Sequence, residues 1–599
     1  MKTVIIALNS KYIHSSLAPW YLKYACGSSC GQVNVLEYTI NDNIEWVLSK
    51  IYAEKPDIAA FSCYIWNIDH VHKITSNLKK VLPDTRIILG GPEVSYTPIK
   101  IMEENPHIDF IICGEGEESF RKLLSVLSID LEKKPVIKDP NITRLSIKDI
   151  QGLCYRNGEN IIYDGGYCKI KDLDSIPTPY TDEMFSTLEN NKIVYYEASR
   201  GCPFYCSYCI SSTFDGVRYF SMDRVENDLS RLINAGVKQI KFVDRTFNCN
   251  KQRAMDIIKF AISNSKETNF HFEVAGDLFD DELIQLLSRA PEGLIQLEIG
   301  IQTVNTEALA EIRRKTDTTR VLGNIRKLIS NNNIHIHLDL IAALPFEDYS
   351  SFQRSFNIVY MLEPHHLQLG FLKMLKGSYI RSDEQIKKHQ YSFREYPPYE
   401  VLCNKYMNFS EIAELKGIEE VFERYYNSGR FSNSLKFIIK NYFNSPFEFY
   451  REFYLYNLYQ GYLDKPISAR DQYSVFLRFT EYMSDRLELR DAEKSFMLDI
   501  INDLLKLDYL STNNTGNLPE EINRVIEPGF REKCKDFLKD ENNVRRYLPE
   551  YVGMSLGQIL KNIRFEIFSY NVISLNSAEH SAYSDYIEYS EYNSYNKYN

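Results

Sequence analysis

Residues 199–209 read Ser199-Arg200-Gly201-Cys202-Pro203-Phe204-Tyr205-Cys206-Ser207-Tyr208-Cys209, and the three thiols in this stretch decide how the chain is divided. Cys202, Cys206 and Cys209 are separated by three and then two residues, which brings three thiolates into one short loop, as a soft metal centre requires. A structural zinc wants a closed tetrahedral set and would have to recruit Cys249 or a histidine. Three cysteines suit a 4Fe-4S cluster with one iron left open. The loop follows a strand candidate at 193–198 (IVYYEA), and further strand-helix units continue downstream. Their strands are expected at 239–244 (QIKFVD), 270–275 (FHFEVA), 294–302 (LIQLEIGIQ), 335–345 (HIHLDLIAALP) and 369–377.

Upstream of the cysteines, five short apolar runs stand at 3–9 (TVIIALN), 33–40, 57–64, 86–91 and 109–114, each followed by a stretch with helical spacing. Five β-α units in succession give a parallel, doubly wound sheet, and ligands of such sheets sit beyond the carboxyl ends of the strands. The loops to inspect are therefore Asn9-Ser10, Ser62-Cys63, Gly90-Gly91-Pro92-Glu93 and Gly114-Glu115-Gly116. Their small residues let a bulky ligand approach the backbone, although glycine after a strand also serves any tight turn. No Gly-x-Gly-x-x-Gly follows the first strand, which disfavours a nicotinamide site and leaves a flavodoxin-like or cobalamin-binding sheet. His14 and His70 are the nearby histidines, and neither lies in an Asp-x-His-x-x-Gly context.

The chain has 599 residues, 44% hydrophobic and 25% charged, an ordinary globular composition that excludes fibrous and wholly disordered classes. Twelve cysteines are too few for a disulfide scaffold, and the segment after Met1 reads as a strand rather than a signal peptide. A reducing, cytoplasmic setting is expected, with no apolar run long enough to span a membrane. A net charge of -11 offers no general attraction to phosphate backbones, so nucleic acid is disfavoured as a partner.

The cysteine pattern, with Tyr208 just before the third thiol, resembles the signature of the radical S-adenosylmethionine (radical SAM) enzymes. The resemblance implies a partial (βα)6 barrel over 191–380, a 4Fe-4S cluster on Cys202, Cys206 and Cys209, and S-adenosylmethionine on the open iron. Electron transfer there would give a 5′-deoxyadenosyl radical. It also implies S-adenosylmethionine contacts from Tyr208, from Asp244 in the segment Val243-Asp244-Arg245-Thr246-Phe247-Asn248, from Glu273, and from Gln302 ahead of Thr303. Glu298 would point into the barrel, and one arginine of the run Arg313-Arg314 could reach the methionine carboxylate. The family's Leu-Pro-Gly-Glu turn stands here as Leu344-Pro345-Phe346-Glu347, without its glycine.

A doubly wound domain directly before such a barrel is similar to the cobalamin-dependent subgroup. Residues 1–127 would then hold cobalamin through Asn9, Ser62, Gly90, Gly91, Glu93, Gly114 and Gly116, with no protein histidine as lower ligand. Residues 128–190 would form an interdomain connector, held extended by Ile176-Pro177 and Thr178-Pro179. The lead reading is a cobalamin-dependent radical SAM enzyme methylating a small molecule or peptide, with flavodoxin or ferredoxin as electron donor. The alternatives are radical rearrangement, cyclisation or reduction without methyl transfer, a methylthiotransferase on RNA, and a non-catalytic cobalamin or redox sensor.

Residues 381–575 carry helical spacing and the aromatic run Asn441-Tyr442-Phe443-Asn444-Ser445-Pro446-Phe447-Glu448-Phe449-Tyr450, read as a helical core. They resemble a C-terminal domain of unknown function found in a subset of these proteins. Residues 576–599, with tyrosine at every third position from Tyr583 to Tyr598 and few aliphatic residues, are expected to be a disordered tail.

Overall fold

The computed structural model describes residues 1–132, 146–188, 192–213, 216–265, 267–512, 518–522, 528–567 and 572–576. It falls into two compact units that divide between Ile412 and Ala413. In the first, β1 (Lys2–Asn9), β2 (Gln32–Thr39), β3 (Ile58–Ser62), β4 (Arg86–Gly90) and β5 (Phe110–Ile112) run parallel in the order β2-β1-β3-β4-β5. Val4, Ile6 and Leu8 of β1 pack on one face and Ile5 on the other, so the strand is apolar throughout, as a sheet covered on both faces demands.

The connector expected at 128–190 contributes to this sheet. β6 (Leu153–Asn157) and β7 (Asn160–Tyr163) add antiparallel to β5 and make it seven-stranded. Gly158, at φ +64, closes their hairpin within Asn157-Gly158-Glu159-Asn160. Beyond it, Thr178 Oγ1 donates to Asp228 Oδ1 at 2.7 Å and the Arg224 guanidinium donates to the Ile176 carbonyl at 2.8 Å. Both partners belong to the helix Met222–Asn234, which fixes the proline segment against the following fold.

β8 (Ile193–Tyr196) opens the second sheet. A short antiparallel pair, β9 (Ser199–Gly201) and β10 (Val217–Tyr219), brackets the cysteine loop. β11 (Gln239–Phe242), β12 (Asn269–Val274), β13 (Ile295–Gln302), β14 (His335–Ala342) and β15 (His366–Phe371) then complete six parallel strands in sequential order. The sixth strand starts three residues before the expected 369, because His366 and Gln368 interrupt the apolar run while Leu367 and Leu369 carry the burial.

The start of β8 is covered by the loop after β1. Ile193 N donates to the Ile13 carbonyl at 2.7 Å, Ser15 N donates to the Ile193 carbonyl at 3.2 Å, and Tyr195 Oη lies 2.9 Å from His14 Nδ1. His14 thus engages the second sheet. Along the sheet's polar face, Glu298 Oε2 accepts from Lys241 Nζ and His271 Nε2, each at 2.9 Å. Burial works against its ionisation, yet His271 and Lys241 hold the Glu298 carboxyl well below the usual range.

The second unit is built from helices, among them Ser432–Tyr442, Pro446–Tyr459, Asp471–Arg486 and Asp491–Thr512. Phe447, Phe449, Tyr450 and Phe453 are fully buried, so the aromatic run forms core. A strand pair, Ile563–Ile567 and Val572–Asn576, ends the described part of this unit, and the expected tail from 577 onward lies outside the described residues.

Candidate functional site

At the carboxyl ends of β1, β3, β4 and β5 lies a cleft of about 250 Å³. Ser62, Gly90, Gly91, Gly114 and Gly116 line it, together with apolar residues such as Ile88 and Phe120. Two of these glycines are required by the chain itself. A Cβ on Gly91, at φ +110, would stand 2.5 Å from the Cys63 carbonyl oxygen, and one on Gly114, at φ +92, would stand 2.5 Å from that of Cys168. Asn9 and Glu93 do not line the cleft. The Asn9 amide donates to the His14 carbonyl and to Glu37, bracing the loop after β1. Glu93 turns toward the segment after β15, accepting from Tyr399 Oη at 2.8 Å and pairing with Lys376 at 3.3 Å.

Arg200 closes the other side of the cleft. It stands on β9, two residues before Cys202, and its guanidinium donates to Glu197 Oε1 at 2.6 Å and to Glu117 Oε1 at 2.5 Å. Its β10 neighbour Arg218 binds both carboxylate oxygens of Glu115. Burial opposes ionisation of Glu115, but Arg218 and Arg200 hold its carboxyl below the ordinary value. The hairpin carrying the cysteine loop is thereby clamped to the start of the helix Gly116–Glu132 of the first sheet. Arg200, Glu115, Glu117 and Arg218 received no role from sequence reasoning. Their only signal is Glu-Gly-Glu after one strand and an arginine beside a cysteine motif more than 80 residues later.

In the cysteine loop, Cys206 is buried while Cys202 and Cys209 are partly exposed. Burial pushes the Cys206 thiol up, and the Arg314 guanidinium, with Nη1 4.0 Å from Cys206 Sγ, opposes that shift. Arg314 also donates to Tyr208 Oη at 3.2 Å and to the Gly300 carbonyl. Cys202 Sγ lies 3.4 Å from Thr246 Oγ1. Among the described residues, no three His, Cys, Asp or Glu side chains converge as a preformed metal site. The donor set on this one loop is nevertheless three soft thiols beside a fixed cation, which suits an iron-sulfur cluster and its negative charge.

Two buried polar atoms above this loop have no partner: Gln302 Oε1 and Arg314 Nε. Gln302 adopts φ +70, and its amide folds over Gly300, where a Cβ would collide with Gln302 Nε2. Glu273, on an inward position of β12, has no hydrogen-bond partner among the described residues, and burial pushes its carboxyl up. Unmet donors and acceptors at one barrel mouth fit a polar ligand such as an amino acid head group. Asp244 differs from the expected contact, because its two oxygens accept from Ala198 N at 2.8 Å and from Ser199 Oγ. Burial pushes it up to about 7, and it holds the start of the cysteine hairpin. Of the two arginines considered, Arg313 stacks on Tyr379 and Arg314 faces the cysteines.

A parallel doubly wound sheet with an open cleft, joined to a six-stranded parallel partial barrel whose first loop bears three cysteines, defines an α/β architecture with two candidate ligand sites. Three family models match successive stretches of the chain. Residues 3–124 match the B12 binding domain, residues 196–359 the Radical SAM superfamily and residues 387–587 the protein of unknown function DUF4080. The chain thus carries a B12-binding, a radical SAM and a DUF4080 region in succession.

It is 26% identical over 364 residues to the cobalamin-dependent radical SAM methyltransferase TokK of Streptomyces tokunonensis, covering 57% of this chain and 50% of that protein. It is 25% identical over 321 residues to the 2-(S-pantetheinyl)-carbapenam-3-carboxylate methyltransferase of Streptantibioticus cattleyicolor, covering 50% of this chain and 44% of that protein. The chain thus spans about half the length of these curated relatives. The solved structure of the cobalamin-dependent S-adenosylmethionine radical enzyme OxsB, with aqua-cobalamin and S-adenosylmethionine bound, shares the fold. Its TM-score is 0.57 at 14% identity, over 92% of this chain and 84% of that one. Among the described residues no helix is long and apolar enough to cross a membrane.

Proposed function

We propose that this chain is a cobalamin-dependent radical SAM methyltransferase acting on a small molecule or peptide. The observation that carries the reading is the joint placement of the cleft and the cysteine loop, with Arg200 belonging to both. In this reading Cys202, Cys206 and Cys209 hold a 4Fe-4S cluster, Ser62, Gly90, Gly91, Gly114 and Gly116 border the corrin, and Gln302, Glu273 and Arg314 face S-adenosylmethionine. When bound, these groups supply one-electron cleavage of a sulfonium and a transferable methyl group.

The chain's own residues supply placement and exclusion of water. Arg314 sets its fixed positive charge against the cluster loop, and its Nε–H, buried without a partner, is available to a carboxylate. Gln302 offers its carbonyl oxygen to an ammonium N–H, and Tyr208 closes the loop from a half-buried position. Asp244 acts through Ser199 and Ala198 and is a positioning residue. TokK and the carbapenam enzyme, both named as methyltransferases, support methyl transfer, while relatives named as cyclases keep cyclisation as the second reading.

The test supplies anaerobically reconstituted protein with S-adenosylmethionine and a low-potential reductant, with and without added cobalamin, and measures S-adenosylhomocysteine released as the sulfonium methyl passes to the reduced cobalamin. The reading expects product that depends on cobalamin and is lost in Cys206→Ala. Cobalamin-independent product, or none while 5′-deoxyadenosine accumulates, would replace methyl transfer by another radical reaction.

A further inference from the structure

Glu117 is 7% exposed, and its two oxygens have different surroundings. Oε1 accepts from Arg200 Nη2 at 2.5 Å, whereas Oε2 is buried with no hydrogen-bond partner. The residue lines the cleft at the carboxyl ends of the strands. A carboxylate oxygen withdrawn from water without a donor is costly, by several kcal/mol for a charged group, so an atom in this position calls for a donor supplied by the occupant. The neighbouring carboxylates have no such vacancy. Glu115 is bound at both oxygens by Arg218 and also accepts from Ile170 N at 2.7 Å. Arg200 is locked between Glu197 and Glu117 and lies over the Tyr21 ring, so it holds the Glu117 carboxylate in one orientation and cannot swing to serve Oε2.

Resting on the cobalamin reading of this cleft, we infer that Glu117 Oε2 accepts a hydrogen bond from a peripheral carboxamide N–H of the corrin, with Arg200 as its positioning residue. The chemistry of the cleft favours this occupant. Its floor is apolar, supplied by residues such as Ile5, Ala60 and Ile88, which suits the face of a flat macrocycle, while the unmet acceptor stands at the rim where amide side chains would project. Because Arg200 lies two residues from Cys202, the same carboxylate that meets the corrin also anchors the cysteine hairpin through its other oxygen.

Glutamine at this position offers a sharp test. It can keep its carbonyl oxygen on Arg200 while placing an NH2 donor where Oε2 stood, so donor would face donor. Two probes are titrated into the full-length protein by corrin absorbance: dicyanocobinamide, which keeps the carboxamides, and the heptamethyl ester of cobyrinate, in which esters replace them. For the wild type the amide corrin is expected to bind more tightly. Glu117→Gln should weaken it about tenfold or more, the scale of a lost charge-assisted hydrogen bond, and leave the ester within about twofold.

Equal losses for both probes, or no loss for either, would overturn the contact. Wild-type protein that binds neither probe would instead overturn the cobalamin reading itself. Glu117→Asp, which keeps the charge on a shorter arm, should retain Arg200 pairing and lose affinity for the amide corrin only. Iron and sulfide content after reconstitution reports whether each variant keeps its cysteine hairpin in place.

Discussion

Replacing Glu347 by glutamine should remove a pH-dependent term from the stability of the barrel mouth. Glu347 is fully buried in the turn after β14, accepts from Thr303 Oγ1 and from Ser355 Oγ, and leaves Oε2 without a partner. Burial pushes its carboxyl from 4.5 up to about 8. The folded protein therefore keeps a proton between these values that the unfolded chain releases. The stability contributed by that proton is complete below about pH 4.5 and is lost as pH rises toward 8. Glutamine is neutral throughout and has no such loss.

Each pH unit in that window corresponds to about 1.4 kcal/mol, so the variant should gain on the wild type by about 3 kcal/mol between pH 5.5 and 7.5. Hydrogen exchange of peptides spanning Thr303 and Ser355, read as local opening free energies at the two pH values, measures the difference directly. A variant-minus-wild-type difference that is the same at both pH values would refute the argument that Glu347 is held protonated.

Three further outcomes follow from local geometry. Phe346 occupies φ +61 where the related turn carries glycine, and its ring packs on His389 and Tyr406. Phe346→Ala should lose the ring and keep the strain, so Phe346→Gly should be the more stable variant by about 1 kcal/mol in chemical denaturation. The reverse order would show that the turn is unstrained. Asp508 accepts from the backbone and side chains of Asn433 and Ser434 at the start of the helix Ser432–Tyr442, whose own N-cap residue Phe431 offers no side-chain cap. Asp508→Ala should destabilise the second unit by about 2–3 kcal/mol, and a loss under 0.5 kcal/mol by near-ultraviolet circular dichroism melts would contradict this, on the scale of about 1–3 kcal/mol for a buried capping carboxylate. Gly300→Ala should drive the Gln302 amide from its place and weaken S-adenosylmethionine binding about tenfold or more while iron content is retained; unchanged affinity would remove Gln302 from the site.

Much of this architecture is legible in the sequence because parallel strands buried on both faces are nearly continuous apolar runs. TVIIALN lies within β1, RIILG is β4, and the cysteine spacing announces its loop. Where the alternation is masked, the reading slips. His366 and Gln368 hid the start of β15, and Asn157-Gly158, a hairpin signal in its own right, was absorbed into a connector although it closes two strands of the sheet.

Side-chain partners are less legible than strands. Asn9 and Glu93 sit in the right loops, but a loop position does not say which way a side chain is drawn. Glu37 and His14 capture one, and Tyr399 and Lys376 capture the other. Asp244 was expected at a ligand and is instead satisfied by Ala198 and Ser199. The Arg200–Glu117 clamp depends on how two sheets are placed, and sequence separation of 83 residues carries no trace of it.

Cleavage of S-adenosylmethionine at a cluster beside the corrin cleft, on which the proposed function rests, is measured with the full-length protein reconstituted anaerobically with iron, sulfide and cobalamin and supplied with S-adenosylmethionine and a low-potential reductant. The wild type should yield 5′-deoxyadenosine, Cys206→Ala should yield none, and both should retain cobalamin. Wild-type protein that holds a complete 4Fe-4S cluster and cobalamin yet leaves S-adenosylmethionine uncleaved would contradict the proposed function and favour a cobalamin or redox sensor.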